Sequence, residues 1–205
     1  MAFDTYMQFF DSLGKPVRGE SQVKIDTSKE SPLGKDISQG NVFEIDDFSF
    51  DIEQVLNIGS QSSGIGSGKI TFNAFQITRK TDRASPLLFT MCCTGEHFRQ
   101  VSLYLRRAGG MGGVGGAASA TSGMTFLRYD FALVGVKTIS WSGSDGDEAC
   151  KEEVTFEYGA LQVRYVQQDV TGGIASVADA QPVGSWNRVN NNSNFPSLAT
   201  GLVAT

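Results

Sequence analysis

The chain has 205 residues, of which 40% are hydrophobic, so it has enough apolar material for one folded domain and is not disordered throughout. Its formal net charge of −5 excludes a protein that neutralises nucleic-acid phosphates over a basic face. No stretch approaches the roughly 20 apolar residues that cross a bilayer, so we expect no membrane insertion. Residues 1–6 lack a basic region followed by an apolar run, and we expect cytoplasmic synthesis without a Sec-type signal peptide.

Alternating apolar and polar residues predict strands in most of the chain. The first predicted strand is Phe3–Phe10. A long polar connection, residues 17–41, separates it from the second, Val42–Glu53. Further strands are predicted around Val101–Leu105 and over Met124–Trp141.

Three of the predicted strands change phase partway along. The apolar positions shift by one residue near Asp46-Asp47, between Phe72 and Phe75, and at Gly159-Ala160. A shift of one residue is typical of a β-bulge, at which a strand bends. Long strands that bend in the middle predict a mainly β fold, with an antiparallel sheet curled into a bulged barrel.

One short segment has the sequence of a helix that flanks the barrel. Ser85 is a candidate N-cap, and Pro86 follows it at the first helical position. Gly95 lies at the position where a glycine commonly ends a helix. The helix should cover an open end or side of the barrel through one apolar face, formed by Leu88, Met91 and Cys92. We expect Cys92 and Cys93 to be small buried packing residues.

The C-terminal part of the chain is predicted to be less regular. Residues 109–123 form a Gly/Ala/Ser loop without periodicity, and the chain becomes polar after Val166. We therefore divide the chain into a barrel domain, residues 1–168, and a polar, partly irregular extension, residues 169–205. Trp186 and Phe195 are expected to dock this extension onto the barrel.

No set of residues predicts catalysis, a metal or a cofactor. The single histidine, His97, has no motif partner for a nucleophilic site or a metal site. The adjacent carboxylates Asp46-Asp47 and Glu152-Glu153 should point to opposite faces of their strands, so we interpret them as solvated strand surface. The chain is predicted not to be an enzyme.

Two glycine motifs lack the neighbouring residues or elements that nucleotide or phosphate binding requires. Gly110–Gly115 matches the dinucleotide pattern with Asp130 downstream, but a strand follows it where a phosphate-binding helix is required. Gly68-Lys69 lacks the first glycine and the Ser/Thr of a phosphate-binding loop. Cys92 and Cys93 are adjacent and distant from Cys150, so no disulfide is expected.

The order of several short segments closely resembles the haemolysin-coregulated protein family, Hcp, of bacterial type VI secretion systems. The segments are Ala2–Met7, Gly19–Ser21, Ile45–Phe50, Gly66–Ile70, Asp82–His97, Leu105–Gly110, Glu153–Phe156, Val163–Gln168 and Gly184–Asn187. No single segment is decisive, but their shared order is specific and spans nearly the whole barrel.

The resemblance implies a phage tail-tube-like barrel that assembles into six-membered rings. The rings would stack into a hollow tube, which a contractile sheath drives out of the cell behind spike proteins. The subunit itself would be exported, and the lumen would hold small effector proteins. No cofactor is implied.

The resemblance also assigns two regions of the chain. The second strand lines the lumen in this family, so Ser49 and Asp51 are predicted to face the cargo. The loop from Leu56 to Gly68 is similar to the extended loop that reaches the adjacent ring, where Ile65 would anchor the contact. The residues predicted for this stacking contact are Leu56, Gly59, Ser60, Ile65, Gly66 and Lys69.

Two other functions remain open from the sequence. A tail-tube protein of a phage or related contractile particle would share the barrel but usually lacks this motif order. A secreted effector built on the same body would need a catalytic domain, and the residues after Gln168 are too few for one.

Overall fold

A computed structural model describes residues 3–57, 66–107, 123–167, 175 and 181–196. These residues form ten strands and one helix. The elements in chain order are β1 Phe3–Phe10, β2 Phe43–Glu44, β3 Asp47–Ser49, β4 Ile52–Asn57, β5 Gly66–Phe72, β6 Phe75–Lys80, α1 Ser85–Thr94, β7 His97–Arg107, β8 Thr125–Ser142, β9 Lys151–Tyr165 and β10 Val183–Asn187.

One antiparallel sheet runs in the order β2-β1-β7-β8-β9-β6-β3, with β10 added on β9. Its two terminal strands, β2 and β3, are halves of the same short segment. The Ile45 N–H donates to the Thr5 carbonyl of β1 at 3.1 Å, and the next N–H, of Asp46, donates to the Thr78 carbonyl of β6 at 2.9 Å. The segment therefore joins the two ends of the sheet, and the predicted barrel is confirmed, with its first irregularity where the partner changes.

The three longest strands bend at the same level. Phe98, Val134 and Tyr158 form one row of paired residues in the hydrophobic core, and the next core row, Val101, Phe131 and Leu161, follows after three residues rather than two. The phase change predicted in β9 is thus confirmed, and it belongs to a line that crosses β7, β8 and β9.

Leu133 and Gly159 meet at this bend. Leu133 lies in the left-handed region with φ 53°. A Cβ on Gly159 would lie 3.1 Å from the Leu133 Cβ, so a side chain there would force a shift. Glycine suits this position because the Leu133 side chain packs so close to it.

The connection between β1 and β2, residues 17–41, packs on the outside of the barrel, and we call it the cover segment. Ile25 and Ile37 of the cover segment form a cluster with Tyr6 and Tyr104, whose side chains project from the outer face of the sheet. The sequence predicted only a polar connection here. The cover segment instead keeps the outer faces of β1, β7 and the first half of β8 away from solvent.

A buried ionic network lies beneath the cover segment. The Asp130 carboxylate is 1% exposed and accepts hydrogen bonds from Arg128 Nε at 2.8 Å, from Arg164 Nη2 at 2.6 Å and from the Ser102 hydroxyl at 2.6 Å. Arg128 also contacts Asp36 of the cover segment at 2.5 Å. These contacts satisfy charges that would otherwise be costly to bury, and they fasten the cover segment to the sheet.

A second buried ion pair corrects the expectation for the Glu152-Glu153 pair. Glu152 is fully buried and pairs with Arg79 at 2.7 Å, while its other oxygen accepts a hydrogen bond from the Trp141 indole at 2.8 Å. Interpreting Glu152 as solvated strand surface was therefore wrong. Glu153 points to the opposite face, as predicted, where it is half-buried and accepts a hydrogen bond from Gln76.

Helix α1 begins at Ser85, so its N-cap is Ala84 rather than the predicted Ser85. Gly95 ends it at φ 73°, as predicted. Leu88 and Met91 are buried and Cys92 is half-buried against the core. The expectation for Cys93 was wrong, since this side chain lies on the exposed side of the helix.

The described part of the C-terminal extension adds a strand to the barrel. β10 pairs antiparallel with β9, and the half-buried Trp186 packs against the core. Phe195 is half-buried. The division of the chain at residue 168 stays a prediction, and the predicted loop 109–123 lies outside the described residues except for Gly123.

Candidate functional surface

The outer side of the barrel opposite the cover segment is a sheet surface of polar side chains, which we call the polar face. It is built from four adjacent strands, β3, β6, β9 and the second half of β8. Two rows of directly paired residues form its centre: Ser49, Gln76, Thr155 and Thr138 in one row, and Asp47, Thr78, Glu153 and Ser140 in the next.

Strand geometry explains why this surface is polar. Successive side chains point to opposite faces, so the residues between the polar ones must point into the barrel. Ile77 and Val154 are fully buried there, while Ser49 and Ser140 are exposed. The same strands therefore bury an apolar face in the core and present hydroxyls, amides and carboxylates outside.

The charges of the polar face are balanced and separated by position. Lys80 and Lys151 pair at one end of the strands. Towards the other end, Lys137 binds Glu157 at 2.9 Å, and this hydrogen bond lowers the pKa of the Glu157 carboxyl. The row through Ser49 between these ends carries no charge, whereas the next row holds Asp47 and Glu153, so the neutral, hydrophilic part of the face is the Ser49 row.

The two predicted lumen residues lie in different places. Ser49 is exposed on the polar face, paired with Gln76. Asp51 lies just beyond β3, where its carboxylate accepts a hydrogen bond from the Asn73 amide at 2.6 Å. This contact, together with a backbone bond from Asn73 N–H to the Asp51 carbonyl, ties the end of β3 to the end of β5.

The predicted stacking loop is largely a β-hairpin. Strands β4 and β5 form a separate two-stranded sheet from the pair Ile52 and Phe72 to the pair Asn57 and Gly66. Leu56, Gly66 and Lys69 are therefore strand residues rather than loop residues. Gly59, Ser60 and Ile65 lie outside the described residues.

The base of the hairpin is held by the barrel. Phe72 is buried in the core and Ile70 packs against it, whereas Ile52 is exposed. Six residues of β4 span about 20 Å at the usual rise of a strand. The hairpin therefore extends well beyond its anchored end.

The candidate catalytic groups do not converge. His97 is exposed at the start of β7. Asp130, which the dinucleotide pattern would place on a ribose, is enclosed by arginines, and Gly110–Gly115 lies outside the described residues. In the part of the chain that the structure describes, no three His, Cys, Asp or Glu side chains are grouped to hold a metal ion, and no helix is long and apolar enough to cross a membrane.

Most of the polar face could not be identified from the sequence. Gln76, Thr138 and Thr155 lie beside Ser49 only because β3, β6, β9 and β8 pair in that order. The alternation in each strand identifies which of its residues face outwards. It does not say which strands are neighbours, so the surface could not be assembled from the pattern.

Comparison with known proteins agrees with the barrel. Residues 14–165 match the family described as "Type VI secretion system effector, Hcp". Protein hcp1 of Pseudomonas aeruginosa is 28% identical over 120 residues, which cover 58% of this chain. That alignment spans 65% of the relative's own length, a little under two thirds.

Two solved structures are similar over nearly their whole length, and they show the fold alone. The first is described as a type six secretion system protein, with 22% identity, a TM-score of 0.68, and 93% of this chain and 99% of the other covered. The second is Hcp1 from Salmonella typhimurium, with 24% identity, a TM-score of 0.62, and 95% and 100% covered.

Proposed function

The chain belongs to the Hcp family of type VI secretion proteins, and on that premise we propose that six copies form a ring and that the rings stack into a hollow inner tube. The observation that carries the proposal is the polar face. A tube needs a wall that is hydrophilic towards its lumen and apolar behind it, and β3, β6, β9 and β8 form such a wall in each copy.

The lumen is lined by the polar face, with Ser49 near its centre. A neutral hydroxyl and amide row contacts a protein cargo without a large apolar patch, which would hold the cargo too tightly for release. Small effector proteins are therefore the expected cargo. The sheath surrounds the tube and the spike caps it, and the assembled tube leaves the cytoplasm through the type VI apparatus.

The hairpin β4–β5 provides the contact between stacked rings. Its base is held by Phe72 in the core and by the hydrogen bond between Asp51 and Asn73, so the barrel sets the position from which it projects. Leu56, Gly66 and Lys69 belong to this hairpin, and together with Gly59, Ser60 and Ile65 from the sequence between its strands they would contact the next ring. Asp51 acts at the root of the hairpin and borders the lumen.

The placement of the polar face is tested by labelling single cysteines in rings viewed end-on. In a chain whose three cysteines are replaced by serine, a maleimide-coupled gold cluster on Ser49→Cys should appear in the central hole in averaged electron micrographs. The matched variant Ser28→Cys, exposed on the cover segment on the opposite side of the barrel, should place the gold at the outer rim. Gold from Ser49→Cys at the rim would contradict the proposal.

A further inference from the structure

Helix α1 has an unusual outer face. Its ten residues, Ser85–Thr94, include no charged side chain. Ser85, Leu88 and Met91 are buried, but Leu87 is 38% exposed and Phe89 is 49% exposed. A surface helix normally turns charged residues to solvent, whereas this helix exposes two large apolar side chains on the flanks of its buried face and only uncharged residues between them.

Trp141 of β8 extends the exposed apolar surface beyond the helix. The Phe89 and Trp141 rings lie 6.1 Å apart between centroids, and Trp141 is 48% exposed. We call Phe89 and Trp141 the helix patch. Single exposed apolar residues are ordinary, but two exposed aromatic rings in contact are typical of a docking surface.

The helix patch borders the polar face. Trp141 stands between Ser140 and Ser142 at the end of β8, on the lateral edge of the four-stranded surface. Helix α1 runs alongside this edge, with Cys92 Sγ 3.9 Å from the Lys137 carbonyl. Among the described residues, no strand pairs with this side of residues 137–142.

We infer that the helix patch is the surface through which one copy of the chain contacts the next copy within the ring. The inference rests on the proposed function: if the polar face forms a continuous lumen wall, each lateral edge of that face must meet a neighbouring copy. One edge is flanked by the helix patch, and the opposite edge is β3. The two edges differ, as a cyclic ring requires, because its contacts join unlike surfaces.

The chemistry of the helix patch fits a second copy of this chain. A contact that is repeated around a ring and kept permanently benefits from desolvated aromatic anchors, and it needs no charge. The patch provides Phe89 and Trp141 as anchors, and α1 offers no charged residue that a partner would have to neutralise.

Substitution of the helix patch tests the inference. Phe89→Glu should raise the protein concentration at which rings half-dissociate by at least on the order of 10-fold, because a carboxylate would be buried at each contact. Leu13→Glu is the matched control, since Leu13 is 67% exposed in the turn after β1, away from α1. Circular dichroism of both variants should match the unsubstituted chain, which separates a lost contact from a lost fold.

The natural tryptophan gives a second readout that changes no residue of the helix patch. In Trp186→Phe, Trp141 is the only tryptophan, and acrylamide should quench it less in assembled rings than in the diluted monomer. This inference is overturned if acrylamide quenches Trp141 equally in the ring and in the monomer. It is also overturned if Phe89→Glu weakens the ring no more than Leu13→Glu does. In both cases the proposed ring itself would stand. If the unsubstituted chain forms no ring, the proposed function is overturned, and the inferred contact between copies falls with it.

Discussion

Asp130→Ala should lower the free energy of unfolding by about 3–5 kcal/mol, the usual cost of removing one partner from a buried ion pair. Asp130 is enclosed, and its oxygens accept hydrogen bonds from Arg128, Arg164 and Ser102. Without the carboxylate, the Arg128 guanidinium stays buried and loses one of its two acidic partners, keeping Asp36 and the Leu33 carbonyl among its contacts. The cover segment would then lie over a positive charge that is only partly compensated.

Urea unfolding followed by circular dichroism measures this loss. All variants must be compared at one protein concentration, because association adds to the apparent stability of the folded chain. Asp145→Ala, at an exposed position in the turn between β8 and β9, should change the free energy of unfolding by less than about 0.5 kcal/mol. A similarly small change for Asp130→Ala would show that the buried network contributes little.

Glu152→Ala should have a comparable effect, about 3–5 kcal/mol, at the other end of the barrel. The substitution leaves Arg79 buried with Asp82 as its remaining acidic partner, and it removes the acceptor of the Trp141 indole N–H. The free energy of unfolding is again measured in urea at fixed protein concentration.

A double substitution separates the charge from the packing. Replacing both partners, with Arg79→Met and Glu152→Met, removes the charges while keeping apolar volume, and we expect most of the lost stability to return. If the double variant loses as much free energy of unfolding as the single variants Arg79→Met and Glu152→Met lose together, the pair does not act as a unit. Packing around α1 would then account for the effect.

The bend of β9 could be predicted because a phase change is visible in the sequence of the strand itself. In β9 the core positions Val154, Phe156 and Tyr158 are followed by Leu161, with Gly159 at the change of phase. The alternation within a single strand indicates which of its residues face the core. The helix was found for the same reason, since its proline and its terminal glycine mark the two ends of one short stretch of sequence.

The buried charges could not be predicted because their partners are remote in the chain. Arg79 and Glu152 are 73 residues apart, and Glu30 and Arg106 are 76 residues apart. A glutamate in an alternating strand is far more often solvated than enclosed, so the pattern alone favoured solvent for Glu152. Only the pairing of β6 with β9 places the arginine opposite it.

The candidate site also has a part that one strand's sequence predicts and a part that depends on how strands and copies come together. Ser49 was singled out through the family resemblance, and its exposure on β3 is a property of the strand. The polar face around it depends on the order of four strands. The number of copies in a ring and the contact between rings follow from surfaces of different copies meeting, so Ser49, Asp51 and the hairpin residues keep their roles as proposals.

The native mass of the purified chain tests the central claim most directly. Size-exclusion chromatography with light scattering should give a mass six times that of the 22.0 kDa chain, or multiples of that ring for stacked species. A monomer at every accessible concentration would contradict the proposed ring, because six copies joined by stable contacts must bury well over about 1,000 Å² at each contact.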